Sequence, residues 1–142
     1  LSFAQESAFQ AGESFKFQIS YGFVNAGEAT LNLSSATYDG KSVYHAKGYG
    51  YTTGITKKLF KVEDDYQSYF DKVTGRPYRF IRKIDEGGYK KNQEGFFDQN
   101  KKTVLVKDYK NNSQKTFNVG TNIQDIVSSF YYLRNHEKRR NY

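Results

Sequence analysis

The residues best suited to chemistry in this sequence are two acidic clusters, Glu63-Asp64-Asp65 and Asp85-Glu86. Convergent carboxyl oxygens serve as a general acid and base or as ligands for calcium. A carbohydrate-acting hydrolase would need two carboxyls about 5–10 Å apart across a polar cleft, and Asp64, Asp65, Asp85 and Glu86 are the candidates for that pair. Adjacent strand residues point to opposite faces, so Asp64 and Asp65 converge only through a bulge, and ion pairs with Arg79, Arg82 or Lys83 compete for them. The two histidines, His45 and His136, stand in no zinc-ligand spacing, and there is no cysteine. Thiolate nucleophiles, disulfides and Cys-based zinc sites are thereby excluded. No GxSxG surrounds Ser34, Ser68 or Ser128, and Gly48-Tyr49-Gly50 lacks the helix that a phosphate loop requires. The expectation is a protein without catalytic residues, metal site or cofactor, with the carboxylate pair as the enzymatic alternative.

The elements that would position these residues are mostly strands. Thirteen Tyr and twelve Phe favour pleated, half-buried surfaces, and they supply burial that the 37% hydrophobic content alone would not. From Ser14 to Phe23 the alternation is strict, with Phe15, Phe17, Ile19, Tyr21 and Phe23 on one side. Asn25-Ala26-Gly27 reads as a hairpin turn, after which Leu31 and Leu33 continue the apolar face. These seven residues are expected to line an interior, as core and as the wall of a ligand site. Asp39-Gly40 makes the next turn, and Ser42 to Thr52 the next strand. The stretch Thr53 to Leu59 reads as a loop, and Phe60 to Asp71 as a strand with a bulge. Strands after Pro77, Tyr89, Thr103 and Gln114 follow, separated by short turns. About eight strands predict a mostly β fold, an antiparallel meander forming a strongly curved sheet or partly closed barrel. Thr121 with Gln124 forms a capping box, and Ile123, Ile126, Val127, Phe130, Tyr131 and Leu133 recur at helical spacing, predicting one C-terminal amphipathic helix over Asn122 to Arg134.

The start Leu1-Ser2-Phe3-Ala4 resembles the end of a cleaved signal peptide, with Ser2 and Ala4 as its small residues. The expected organisation is a signal remnant and leader over 1–13, a single β-rich domain over 14–135 and a polar tail over 136–142. No run reaches the ~20 apolar residues of a transmembrane helix. Net charge is +7, and residues 51–142 carry nineteen Lys or Arg against eleven acids. Such a basic part suits anionic lipid or an acidic envelope glycan as partner. Aromatic and basic residues interleave in Tyr78-Arg79-Phe80-Ile81-Arg82-Lys83, but an aromatic strand face serves as core more often than as a stacking platform, so nucleic acid is not expected.

Three segments, taken in order, resemble a known family. They are Phe17-Gln18-Ile19-Ser20-Tyr21-Gly22-Phe23-Val24-Asn25-Ala26-Gly27-Glu28-Ala29, then Asp65-Tyr66-Gln67-Ser68-Tyr69-Phe70-Asp71 with Pro77-Tyr78-Arg79-Phe80 and Glu86-Gly87-Gly88-Tyr89, and Gln124-Asp125-Ile126-Val127-Ser128-Ser129-Phe130-Tyr131-Tyr132. Together they resemble the exported bacterial proteins of the DUF3108 family of unknown function, especially members from Bacteroidetes. The resemblance implies a periplasmic or outer-membrane-associated β-rich domain and brings no catalytic residues. It also implies further strands after the helix, so the domain is expected to be incomplete at its C-terminus. The expected function is non-enzymatic: binding an apolar or amphipathic molecule, or acting as an envelope interaction module.

Overall fold

A computed structural model describes residues 10–120, and the expected C-terminal helix lies outside them. Eight strands follow one another as β1 (Ser14–Tyr21), β2 (Val24–Tyr38), β3 (Lys41–Thr52), β4 (Val62–Asp71), β5 (Pro77–Glu86), β6 (Tyr89–Asp98), β7 (Thr103–Asp108) and β8 (Ser113–Asn118). They form one antiparallel sheet in sequence order, each strand paired with the next. The expected closure toward a barrel is corrected: closure needs the outer strands to exchange hydrogen bonds, and β1 and β8 pair only with β2 and β7.

Two local readings also change. The first hairpin turns at Gly22-Phe23, not at Asn25-Ala26-Gly27, because Gly22 adopts φ +63° and supplies the positive φ that a two-residue glycine-first turn needs. Phe23 is therefore fully exposed in the turn and not on the strand face. A bulge between Ile19 and Ser20 absorbs the shifted register. The segment expected as a loop contains a short helix, α1 (Gly54–Leu59), tied back by Thr53 N–H donating to the Ala26 carbonyl at 3.1 Å. The Asp39-Gly40 turn falls where its residue types place it.

Register partners share a face, so the pairs Leu33–Ala46, Ala46–Ser68, Ser68–Phe80 and Phe80–Gly95 trace one row across the sheet. On that face Leu33, Ala46 and Phe70 are buried together, with Leu31, Tyr44 and Tyr66 packed against them. Ile84 and Val104 extend the buried set toward β7. The Phe80 ring lies over Gly95 so closely that a Cβ there would meet Phe80 Cε1 at 1.8 Å, which is why β6 carries a glycine at that point. Val43 is buried on the opposite face.

The opposite face is closed differently, by rings and cations. Tyr38 stacks on Tyr69 and Tyr78, with centroids 5.7 and 6.1 Å apart, and Lys41 sits 4.7 Å from the Tyr78 centroid. The Arg79 guanidinium lies 5.6 Å from both the Tyr69 and Phe96 rings, and Lys107 follows on Phe96. Glu94 accepts from Arg79 and, at 3.0 Å, from the Tyr109 hydroxyl. Each cation–ring contact adds on the order of 0.5–2 kcal/mol.

Candidate functional site

The ligand-facing candidates are partly brought together. Phe15, Phe17 and Ile19 on β1 pair with Leu31, Ala29 and Gly27 of β2 and lie on the same face as Leu33. Leu33 is buried in the core, Phe15 and Leu31 are half-buried, and Phe17 and Ile19 remain 43% and 49% exposed. Phe15 and Phe17 stack with centroids 6.2 Å apart. Tyr21 ends β1, and Phe23 is withdrawn from the face by the turn.

Next to this apolar strip the sheet loses its side chains. Ala29 pairs with Gly50, and Leu31 with Gly48. A Cβ on Gly50 would meet nothing within 4 Å, and one on Gly48 would make only ordinary contact with Leu31 at 3.5 Å. Beyond this low floor, β4 and β5 raise Tyr66, Asp64 and Arg82 on the same face, since Gly48 pairs with Tyr66, Tyr66 with Arg82, and Gly50 with Asp64. The result is a shallow trough with an aromatic wall on β1 and a polar wall on β4 and β5.

The four carboxylate candidates are split between the two faces. Asp64 and Glu86 share the trough face, whereas Asp65 and Asp85 lie on the other, opposite Lys83 and Glu63. Asp65 accepts from the Gln67 amide at 3.2 Å, and Asp85 accepts from Gly88 N–H and pairs with Lys90 at 3.7 Å. Burial, then the hydrogen bond and charge of Glu86, push the Asp64 carboxyl up to about 6, against smaller opposing contributions from the Asp85 backbone and Arg82. Asp64 Oδ1 and Arg82 Nε are buried without a hydrogen-bond partner. Two carboxyls on one face that raise each other's cost of ionisation favour one protonated acid at a time.

His45 stacks on Tyr69 at 4.3 Å, and its Nε2 donates to Gln67 Oε1 at 2.8 Å. Among the described residues no group of three or more His, Cys, Asp or Glu is placed to hold a metal ion. No helix among them is long and apolar enough to cross a membrane, which says nothing of strands.

At the end of the sheet formed by the β2–β3, β4–β5 and β6–β7 turns there is a cavity of about 410 Å³ lined by Tyr38, Lys41, Asp71, Arg76, Tyr78 and Asp98, among others. Its acids are engaged locally. Asp71 Oδ1 accepts from Val73 and Thr74 N–H at 2.8 and 2.7 Å, and Oδ2 from the Tyr78 hydroxyl at 2.9 Å. Burial pushes the Asp71 carboxyl up, but these donors outweigh it and leave it below the usual range. Asp98 Oδ1 likewise holds Asn100 and Lys101 N–H.

The two-residue period put Phe15, Phe17 and Ile19 on one face of β1, as the register does, but sequence reasoning missed the glycine floor and Arg82 opposite it. The signal was present in Gly48-Tyr49-Gly50, whose glycines are two apart and so fall on one strand face.

A family model described as a protein of unknown function (DUF3108) matches residues 16–142. The chain belongs to this family. No curated protein and no solved structure matches this DUF3108 chain. The family carries no assigned chemistry, so the trough and its walls are the ground on which a function for this DUF3108 domain can be argued.

Proposed function

We propose that this domain is a non-catalytic binding module of the bacterial envelope that holds an amphipathic molecule in the trough between β1 and β4–β5. The observation that carries the reading is the exposure of Phe17 and Ile19 beside a floor of Ala29, Gly48 and Gly50 on the same face as a buried core. Strand positions next to a core cluster ordinarily bear side chains that cover it, and here glycine leaves the room unfilled. An apolar chain over the floor would remove Phe17 and Ile19 from water, each worth on the order of 1 kcal/mol for half a side chain. A polar or acidic head group would meet the half-buried Arg82 side chain on the polar wall.

The test fills the trough. Gly50→Leu introduces a side chain into open space on a strand with ordinary backbone, so the fold is expected to be retained. Binding of a fluorescent C16 fatty acid should be lost in Gly50→Leu while the melting temperature stays within a few degrees of the parent. Undiminished binding in that variant, or no binding by the parent chain, would remove the trough as the site.

A further inference from the structure

In a meander the odd-numbered connections all lie at one end of the sheet, so the β1–β2 turn, the β3–β4 connection with α1, the β5–β6 turn and the β7–β8 turn are neighbours. Of the eleven large apolar side chains exposed among the described residues, seven lie at this end. They are Phe23 and Val24 at the first turn, Ile55, Leu59 and Phe60 around α1, and Tyr89 and Tyr109 at the last two hairpins. Ile55 is 71% and Leu59 81% exposed, and α1 buries no residue at all. A helix in a folded domain normally buries an apolar stripe, and this one turns its apolar residues outward.

The patch is held together. Gly87 N–H donates to the Lys61 carbonyl at 2.8 Å, and Phe60 lies so close that a Cβ on Gly87 would be 2.1 Å from its ring. Lys91 and Lys110 stand 5.9 and 5.7 Å from the Tyr89 ring centroid. Cations are interleaved with the apolar tips. Lys57 and Lys58 close α1, and with Lys110 they form no ion pair among the described residues, whereas Lys61 and Lys90 are matched by Glu63 and Asp85. Protruding Leu, Ile and Phe flanked by unpaired Lys are the residues that enter the head-group boundary of an anionic bilayer, the apolar tips among the acyl chains and the ammonium groups at the phosphates. The opposite end has a polar cavity and two such side chains, Val73 and, one residue from the end of β8, Phe117.

We infer that the α1 end of the sheet docks onto an anionic lipid surface, with Ile55, Leu59 and Phe23 as the inserting tips and Lys57, Lys58 and Lys110 as the head-group contacts. This rests on the exposed end alone and holds whether or not the trough binds a ligand.

The chain has no tryptophan, so a single introduced one reports only its own surroundings. Leu59→Trp and, at the opposite end, Val73→Trp would be titrated as full chains with vesicles of phosphatidylglycerol and phosphatidylcholine in equal parts, and of phosphatidylcholine alone. Both positions are exposed, so neither substitution threatens the fold. The Leu59→Trp emission should move to shorter wavelength with the anionic vesicles, and Val73→Trp should not move. Lys57→Gln with Lys58→Gln should weaken the binding about 30-fold at low salt, from roughly fivefold per lysine. An unmoved Leu59→Trp, equal shifts at both positions, or equal binding to uncharged vesicles would overturn the inference. So would self-association of the chain that Leu59→Ser abolishes in the absence of vesicle binding, since the occupant would then be a second copy.

Discussion

Replacing Asp64 by Asn should stabilise this protein above neutral pH and leave it almost unchanged near pH 4. The Asp64 carboxyl is raised from 3.8 to about 6 by its burial and by Glu86 beside it. An acid whose folded-state pKa lies above its unfolded value makes the folded state the better proton binder, so stability falls as pH rises from about 4 to 6 and the loss is complete above that window. A rise of about two pH units corresponds to at most roughly 3 kcal/mol, and solvent screening of a partly exposed pair reduces this to about 1–2 kcal/mol. The introduced amide mimics the protonated acid: it occupies the same space and donates to Glu86. Urea unfolding at pH 4 and pH 8 measures the difference directly, through a midpoint shift at constant m. The gain should appear at pH 8 only. Glu86→Gln should produce a smaller gain, because it removes the neighbouring charge but leaves the burial of Asp64, and the double variant should gain little more than Asp64→Asn alone. A pH-independent effect of Asp64→Asn, or a loss of stability at pH 8, would refute the proton-sharing account.

Two further changes test how the faces are held. Gly95→Ala places a Cβ 1.8 Å from Phe80 Cε1 and should cost about 1–3 kcal/mol in urea unfolding, with partial recovery when Phe80→Leu is added to clear the space. Glu94→Gln removes the charge that meets Arg79 between the Tyr69 and Phe96 rings and should cost about 1–3 kcal/mol at neutral pH, whereas Lys16→Gln, which loses only an exposed 3.3 Å pair with Glu28, should fall within about 0.5 kcal/mol of the parent.

The sequence disclosed what depends on local period and little that depends on register. Alternation from Phe15 to Ile19 placed β1 and its apolar side correctly, because a side chain's face follows from its own strand alone. The same alternation continued through Phe23 and concealed the turn, since Gly22-Phe23 and Asn25-Ala26-Gly27 both offer a glycine and only pairing with β2 decides between them. The outward-facing residues of α1 defeated periodicity for another reason: six residues that bury nothing leave no buried stripe to detect. The meeting of Asp64 with Glu86 rests on the Lys72–Pro77 connection and on the bulge between Tyr69 and Phe70, which together set how β4 slides against β5. Parity told that Asp64 and Asp65 would separate. It did not tell which acid across the turn each would face.

The different ways of closing the two faces bear on the function. One buried cluster, Leu33, Ala46 and Phe70, covers only part of one face, and a single sheet with nothing more would be marginal. The other face supplies the rest through the Tyr78–Tyr38–Tyr69 stack and Arg79 held between rings with Glu94 on its charge. Those ring faces are consequently occupied by the protein's own cations and are poorly placed to stack against a nucleic-acid base. Because that lattice and the β2–β4 cluster do not include Phe17, Ile19 or Gly50, the trough contributes little to holding the sheet together. Binding and folding should therefore be separable at these three positions: Phe17→Ser and Gly50→Leu are expected to alter what the face holds while the urea midpoint stays close to that of the parent.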